Sequence, residues 1–505
     1  MKKGSEIFYQ TMLLTGANFL LRLAGMSFQV YLSGRIGAEG IGLLQLVLSV
    51  SVLSFTVGSA GIRTCTTYLS AGELGRGTAG GLSSVLAGCF QYSIVCGGAA
   101  AAALWCAAPW LCEVWIGDQA AAAALRLFAL FLPVRCLHGV MTGYFTAVKR
   151  VGSTVVVAFL EQGCSMAVTF LLLARWAGSD SGQAALAVAA GSCAADVLGF
   201  WALLAVQRRI TGRSPRRRPP YGRILRAALP LAVADTLRSG LNTIEDLIIP
   251  RQLALFAGTV NAMADYGMIR GMVFPVLMFP AAVLVSLAEL LIPEFSRCAA
   301  QGSRTRVQYL AKQGLRASML FGLCTGGLLF TLSDVLGELL YQEPQVGGLL
   351  RLYAPFVPML YMDALVDAMC KGLGQQSANA RYNLLTNLMD VALLWLLLPR
   401  FGMGGYYFSF AASHLVNFGL SLRRLGRSAN LRFSPGPAVK SALCGAAAAL
   451  PVFLLRPQEG TAGVLVPMGC YLLALGSLWL LLRVVGWKDV LWLRGLLGAR
   501  GKRGD

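Results

Sequence analysis

Long runs of apolar residues, interrupted by short polar segments, dominate the chain. Residues 77–112, 401–422 and 460–482 contain no Asp, Glu, Lys or Arg. About 20 apolar residues suffice to cross the hydrocarbon core of a bilayer as a helix. The pattern therefore predicts an all-α integral membrane protein with about fourteen spans. They fall at about residues 9–33, 40–62, 80–108, 122–147, 153–177, 183–206, 224–250, 266–293, 313–333, 347–370, 383–399, 404–422, 438–455 and 462–486.

Composition and charge support a membrane location. Hydrophobic residues make up 56% of the chain and charged residues 13%, against roughly 25% charged in a soluble domain. If Lys2 and Lys3 are cytoplasmic, most of the 43 Lys and Arg lie beside cytoplasmic ends of spans. This is the positive-inside distribution. The net charge of +20 is then explained by topology and membrane lipids, without nucleic acid. We expect a plasma-membrane protein with both termini cytoplasmic.

Several charged side chains nevertheless fall inside predicted spans. A charge at the centre of a bilayer costs roughly 2.5 to 3.5 kcal/mol on insertion scales, so such residues need a polar cavity or a partner. A helix bundle that encloses a charged cavity is typical of transporters. The residues in the middle of the chain are Asp235, Arg238, Glu245, Asp246, Arg270 and Glu289.

Two spacings recur along the chain and indicate an internal duplication. They are Arg22 to Arg35 with Arg238 to Arg251, and Gly143 to Glu161 with Gly372 to Asp390. The offsets are 216 and 229, a difference that one loop insertion explains. We expect two pseudo-repeated six-helix bundles around a central cavity, which is a common architecture of secondary transporters.

The predicted boundaries follow from this repeat. The segments are an amino-terminal bundle at 1–207, a basic cytoplasmic linker at 208–223, a second bundle at 224–425, two further spans at 426–486 and an interfacial cytoplasmic tail at 487–505. Proline inside a span favours a kink. Such residues are Pro230, Pro275, Pro280, Pro355 and Pro358.

Cysteine and histidine give no sign of a metal or catalytic centre. The 13 cysteines are scattered through apolar spans without a C-x-x-C pair, so they read as small packing residues. His138 and His414 are isolated in apolar spans, and we expect packing or local hydrogen bonding from them. No metal and no cofactor is predicted.

Ordered motifs carry a family resemblance over about residues 9–425. They are Gly143-Tyr144-Phe145, Phe159-Leu160-Glu161-Gln162, Ile249-Pro250-Arg251, Tyr266-Gly267 through Phe279-Pro280, Leu291-Ile292-Pro293, Lys371-Gly372-Leu373-Gly374-Gln375 and Leu397-Leu398-Pro399-Arg400-Phe401-Gly402-Met403. The set resembles the stage V sporulation protein B group of polysaccharide-export and lipid-linked oligosaccharide flippases. That group is related to peptidoglycan-precursor flippases and, more distantly, to multidrug and toxin extruders.

The resemblance implies a transporter, with no covalent chemistry, that flips a lipid-linked pyrophosphate saccharide for the cell wall or spore cortex. Arginine offers a permanent charge and a planar fork suited to phosphate oxygens. Arg22, Arg238 and Arg270 are therefore the predicted substrate-binding residues. The alternative for each is a structural ion pair, such as Arg238 with Asp235 three residues earlier. Arg126 and Arg135 are weaker candidates, because either could extend to an interface.

Four carboxylates are candidates for a coupling site or for helix packing. Glu161 and Asp390 occupy corresponding places in the proposed repeat, and Glu245 and Asp246 lie near the external end of the seventh span. Either H⁺ or Na⁺ could be the coupling ion. The sequence leaves the oligomeric state open, and a monomer is compatible with it.

Three other functions compete with flipping of a lipid-linked glycan. A cation-coupled drug exporter is the main alternative, but we expect about twelve spans and a negative cavity from such a protein. A membrane glycosyltransferase or polymerase needs an extramembrane region with catalytic carboxylates, and the longest loop here is short and basic. A passive assembly scaffold is the third alternative.

The topology generates the first prediction. Reporter fusions placed after Gly178 and after Lys488 should report an external and a cytoplasmic location, respectively, because an odd number of predicted spans separates them. Two fusions that report the same side would show that the number of spans is wrong by an odd number.

Overall fold

The computed structural model describes residues 2–75, 79–148, 150–176, 181–210, 219–431, 435–454 and 461–484, with side chains from residue 16 onward. Within these ranges every regular element is helical. The helices are α1 Lys2–Ser59, α2 Ile62–Gly75, α3 Ala79–Leu111, α4 Ala121–Ala147, α5 Val151–Arg175, α6 Ser181–Ile210, α7 Tyr221–Leu253, α8 Ala262–Gly267, α9 Phe274–Met278, α10 Ala281–Ala300, α11 Arg304–Thr331, α12 Ser333–Tyr341, α13 Pro344–Tyr353, α14 Val357–Gly372, α15 Gln376–Phe401, α16 Met403–Ala429, α17 Pro435–Leu454 and α18 Thr461–Leu481.

The predicted all-α membrane architecture is confirmed. Eight helices in the described part of the chain are long and apolar enough to span a membrane, or nine if Ala262–Met278 and Ala281–Ala300 form one broken span. The count of fourteen spans stays a prediction. Large apolar side chains such as Val95, Leu171 and Leu473 are mostly exposed, as expected of a surface that meets lipid.

Helix α1 contains the first two predicted spans, joined at Gly37. This residue has φ 66° and ψ −177°, a conformation that glycine adopts readily and other residues rarely do. The interruption divides α1 into a first arm before Gly37 and a second arm after it. The second arm packs beside α7, since Ser49 Oγ donates a hydrogen bond to Asp246 Oδ2 at 2.7 Å.

The described helices group into two compact units. The first comprises Met1–Pro275 and Leu384–Ser413. One core of this unit is formed by buried residues of α2 to α7, among them Ile62, Val85, Tyr144, Leu203 and Ile224. Apolar side chains from six helices therefore meet in one cluster of the unit that carries every predicted arginine site.

The second unit comprises Val276–Asn383 and His414–Asp505. Phe295, Ala311, Met369 and Leu425 belong to its main core, drawn from α10, α11, α14 and α16. A smaller core joins α17 and α18 to α11, where the Tyr471 hydroxyl donates to the carbonyl oxygen of Leu323 at 3.1 Å. The predicted segment boundaries stay a prediction, because these units are defined by packing and draw on both halves of the sequence.

A matched pair of helix contacts recurs at the offset of 229 that the sequence indicates. Thr67 Oγ1 donates to the carbonyl oxygen of Gly143 at 3.1 Å, and Ser296 Oγ donates to that of Gly372 at 2.9 Å. Both residue pairs differ by 229, from 67 to 296 and from 143 to 372. The contact of α2 with α4 in the first unit thus has a counterpart between α10 and α14 in the second.

The glycine in each of these contacts lies against backbone. A Cβ at Gly143 would lie 2.5 Å from the Arg63 carbonyl oxygen, and one at Gly372 would lie 2.7 Å from that of Ile292. These carbonyl positions also differ by 229, from 63 to 292. The same close helix approach therefore requires glycine at both places.

The predicted kinks are confirmed at two of the proline positions. Pro280 lies at the break between α9 and α10, and Pro355 lies in the 3₁₀ turn Ala354–Phe356 between α13 and α14. Pro230 leaves α7 continuous. The predicted interfacial tail at 487–505 and residues 211–218 of the predicted linker lie outside the described residues.

Close backbone contact at Gly267 yields a stability prediction. A Cβ there would lie 2.0 Å from the Ala38 carbonyl oxygen and 2.6 Å from the Gly42 nitrogen. We expect G267A to separate α8 from the second arm of α1 and to destabilise the protein by about 1 to 3 kcal/mol, as overpacking does. Thermal unfolding in detergent measures this loss. The control is G25A, because Gly25 has no neighbour within 4 Å of a Cβ, and it should unfold at or above the wild-type temperature.

Candidate functional site

Arg270 forms the centre of an ion cluster in the first unit. Its Nη2 atom lies 3.0 Å from Glu245 Oε1 and 2.5 Å from Asp246 Oδ1. Asp246 also accepts the hydrogen bond from Ser49 on the second arm of α1. Three segments of the chain are thus joined by one guanidinium and two neighbouring carboxylates.

Local backbone geometry places Arg270 toward these acids. The segment Met268–Val273 is a π-helix, a rare form that occurs often at functional sites. The three side chains are mostly buried, with 28% exposure for Arg270, 15% for Glu245 and 16% for Asp246. One cation and two anions give a formal net charge of −1. A buried charge without its partner is costly, so Arg270 is committed to the ion cluster.

Arg22 lies on the face of α1 that approaches this cluster. Gln29 Nε2 donates to the carbonyl oxygen of Gly271 at 3.1 Å. Arg22 precedes Gln29 by seven residues, which is close to two helical turns, or about 10.5 Å along the axis on the same face. Arg22 is exposed and makes no ion pair with any described residue.

Arg238 on α7 is likewise two helical turns from a residue that contacts the Arg270 segment. It precedes Glu245 by seven residues, so it lies on the face that Glu245 turns toward Arg270. Arg238 is exposed, and its predicted pairing with Asp235 is absent among the described contacts. The face of α1 that contacts Gly271 and the face of α7 that contacts Arg270 therefore each carry one exposed arginine two turns away.

Asp390 and Glu161, the two carboxylates matched by sequence, have different surroundings. Asp390 is buried on α15, and Ser409 Oγ of α16 donates to its Oδ1 atom at 2.6 Å. It is near enough to Glu245 to act on it electrostatically. Glu161 has a histidine as its nearest partner, with His138 Nε2 at 2.9 Å from Glu161 Oε1. The structure thus brings Asp390 near the Arg270 cluster and places Glu161 in a separate cluster with His138.

This second cluster of the first unit was missed by sequence reasoning. Arg135 Nε lies 3.6 Å from Asp196 Oδ2, its Nη1 donates to Ser51 Oγ at 3.1 Å, and its guanidinium lies 4.7 Å from the centre of the Phe55 ring. Arg135 and His138 share a face of α4 at the spacing i, i+3. That spacing was the available signal. Arg135 and Glu161 were predicted only as separate candidates, Asp196 was not predicted, and the expected packing or local hydrogen bonding of His138 named no carboxylate partner.

Metal binding was considered for both clusters. Within the described ranges, no group of three or more His, Cys, Asp and Glu is arranged to hold a metal ion. The side chains of the two clusters can offer charge, hydrogen bonds and proton exchange.

The weaker candidate Arg126 lies 5.7 Å from the centre of the Trp105 ring, an arrangement suited to a cation–π contact.

Comparison with known proteins decides the family. The sequence model of the family "Lipid II flippase MurJ" matches residues 85–457, most of the chain. The chain belongs to the MurJ lipid II flippase family. This confirms the resemblance to the flippase group.

Relatives and solved structures agree with this membership. Stage V sporulation protein B of Bacillus subtilis (strain 168) is 21% identical over 404 residues, which cover 78% of each chain. Sporulation protein YkvU of the same organism is 22% identical over 275 residues, 53% of this chain and 61% of that one. The solved inward closed form of the lipid II flippase MurJ aligns with a TM-score of 0.71 and 10% identity, covering 95% of this chain and all of that one.

A multidrug transporter of the MATE family shares the fold as well. Its inward-facing structure aligns with a TM-score of 0.69 and 12% identity, covering 82% of this chain and 96% of that one. At this identity the likeness concerns the fold alone. Membership of the MurJ family rests on the sequence match over residues 85–457.

The paired state of Arg270 generates a prediction for this MurJ-family chain. R270Q leaves Glu245 and Asp246 without their cation, and breaking a buried pair in this way costs about 3 to 5 kcal/mol. We expect a lower unfolding temperature in detergent for R270Q. R22Q and R238Q should unfold near the wild-type temperature, since neither residue has a described ion-pair partner. Equal stability of all three variants would contradict the structural role of Arg270.

Proposed function

We propose that this chain flips a lipid-linked pyrophosphate saccharide, a peptidoglycan precursor or a related cell-envelope glycan, from the cytoplasmic to the external leaflet. The observation that carries the proposal is a pair of exposed arginines, Arg22 and Arg238, neither of which has an ion-pair partner among the described residues. They lie on the faces of α1 and α7 that contact Gly271 and Arg270. Membership of a family of lipid II flippases supports a lipid-linked substrate within the membrane.

Physical chemistry favours an anionic ligand at these arginines. A guanidinium exposed on a transmembrane helix is costly unless it faces water or an anion. Its planar fork matches phosphate oxygens, and charge-assisted hydrogen bonds are the strong ones. Two such groups, one on α1 and one on α7, offer one fork for each phosphate of a pyrophosphate. Simple movement of the bound lipid needs no covalent step.

The same charges argue against a cationic drug as the substrate. Arg22 and Arg238 repel a cation. Glu245, which lies two helical turns from Arg238 on α7, is already paired with Arg270. The likeness to a MATE transporter concerns the fold alone. We therefore assign Arg270 to a supporting role, in which it holds α7 and the Met268–Val273 segment together at the end of the proposed binding surface.

Location and physiological role follow from the same proposal. A flippase for a cell-wall precursor acts in the plasma membrane, with the cytoplasmic termini that the positive-inside distribution predicts. Stage V sporulation protein B and sporulation protein YkvU are named for sporulation. We propose that this chain likewise serves spore cortex or cell-wall synthesis.

Transport in proteoliposomes with a labelled lipid-linked peptidoglycan precursor tests the proposal. Each charge-assisted hydrogen bond contributes about 1.5 to 3 kcal/mol, so R22Q and R238Q should each lower the rate by roughly 10- to 100-fold. R22K and R238K keep the charge and lose the fork, so their rates should lie between those of wild type and Gln variants.

Arg175 provides the matched control, because it is an exposed arginine in the last turn of α5 and was not predicted to bind substrate. R175Q should transport at the wild-type rate. Wild-type rates in R22Q and R238Q would contradict the proposal. A cationic drug that is transported in place of the lipid would support the exporter alternative instead.

A further inference from the structure

The cluster of Arg135, His138, Glu161 and Asp196 has no part in the proposed binding surface. Its side chains are partly buried, with 18% to 28% exposure, and they lie within a helix bundle. Three helices contribute to the cluster: α4 carries the two basic groups, α5 carries Glu161 and α6 carries Asp196. The acids therefore approach the bases from two sides.

The Glu161 carboxylate lies against Gly199 of α6, which has no side chain to occupy the same space. A Cβ at Gly199 of α6 would lie 1.7 Å from Glu161 Oε1, so the carboxylate fits directly against the backbone at that residue. Oε1 is buried and has no described hydrogen bond of good geometry, although His138 Nε2 lies 2.9 Å away. A buried carboxylate oxygen at this distance from an imidazole nitrogen is a place where a shared proton satisfies both groups.

The charge balance of the cluster favours one additional proton. Arg135 contributes +1, and Glu161 with Asp196 contributes −2. With neutral His138 the sum is −1, and with protonated His138 it is zero. A net charge away from bulk water is costly, and histidine is the side chain that most readily changes charge near neutral pH.

Neighbouring groups on the surrounding helices leave this balance unchanged. Ser51 and Phe55 of α1 contact Arg135 as a hydroxyl and an aromatic ring. The thiols of Cys136 on α4 and Cys193 on α6 are near Arg135 and Asp196, and the thiol of Cys96 on α3 is near Cys136. These thiols are neutral near pH 7. The groups of the cluster that can change charge are thus His138, Glu161 and Asp196.

We propose that His138, Glu161, Arg135 and Asp196 form a proton-binding site and that uptake of one proton there couples the transport cycle to pH. The coupling part rests on the proposed function. Proton binding by the four residues does not depend on it. Protonation adds a full ion pair between α4 and α5, whereas its loss leaves a net negative charge among α4, α5 and α6. The two states therefore differ in how firmly these helices are held together.

Proton binding can be tested without transport. The chain has 2 histidines, so ¹⁵N-histidine labelling gives two imidazole signals, which H138Q and H414Q assign. In the full-length protein, E161Q and D196N should change the pH titration of His138 and leave that of His414 as in wild type. An unchanged His138 titration in both variants would overturn the proposed site.

The variant G199A provides a second, independent perturbation. It retains all four polar residues but displaces the Glu161 carboxylate, because the added Cβ overlaps Oε1. We expect its His138 titration to change in the same direction as in E161Q. A G199A titration that matches wild type would show that the contact with Glu161 is not what sets the protonation of His138.

Coupling is tested with a labelled lipid-linked peptidoglycan precursor in proteoliposomes under a pH gradient or a Na⁺ gradient. The wild-type rate should change with the pH gradient, by up to about tenfold per pH unit for one coupled proton. E161Q and H138Q should lose most of this dependence, and H414Q should keep it. A rate driven by Na⁺ and insensitive to pH would overturn coupling through this site.

The two experiments separate failure of this inference from failure of the proposed function. If wild type moves no lipid-linked precursor under any gradient, the proposed function fails, and the histidine titration still decides whether the site binds a proton. If wild type moves the precursor and E161Q keeps the full pH dependence, the coupling fails alone. Should H138Q unfold, E161Q decides the outcome, because an amide keeps the shape of the carboxyl group.

Discussion

The cost of placing charge among apolar helices constrains the whole structure. Each intramembrane charge needs an ionic partner, water or a ligand, because hydrocarbon offers neither hydrogen bonds nor screening. Arg270 meets this requirement with Glu245 and Asp246, and Arg135 meets it with Asp196. Arg22 and Arg238 have no described partner. This difference separates arginines with an ionic partner in the described structure from the arginines that we propose bind the substrate.

The duplication gives the two halves a common scaffold with different polar content. Hydrogen bonds to the carbonyl oxygens of Gly143 and Gly372 recur at one offset. Glu161 and Asp390 share that offset, yet Glu161 faces a histidine and Asp390 faces a serine hydroxyl. A histidine can change its charge near neutral pH, whereas a serine cannot. The scaffold therefore repeats, while the side chain that faces the carboxylate differs between the two halves.

Sequence reasoning was most successful where one residue determines a local shape. Pro280 at a helix break could be predicted because the backbone preference of proline is intrinsic. The length of the apolar runs predicted the helical membrane class, since the bilayer sets the length of a span.

Partners distant in sequence could not be predicted in this way. Arg270 could have paired with a substrate or with either of two adjacent acids, and the π-helical segment that directs it to both has no sequence signature in this chain. The His138 cluster depends on the packing of three helices, and Asp196 alone in an apolar run gives no sign of its partner. Contacts between helices, more than the helices themselves, determine which charges remain free.

The central claim is that Arg22 and Arg238 recognise the pyrophosphate of a lipid-linked saccharide. Equilibrium binding of such a lipid to purified wild type and to the R22Q/R238Q double variant in nanodiscs tests it most directly, with the corresponding uncharged lipid alcohol as the comparison ligand. The account predicts that wild type binds the pyrophosphate lipid much more tightly than the alcohol and that the double variant loses this preference. Equal preference for the pyrophosphate lipid in wild type and double variant would contradict it.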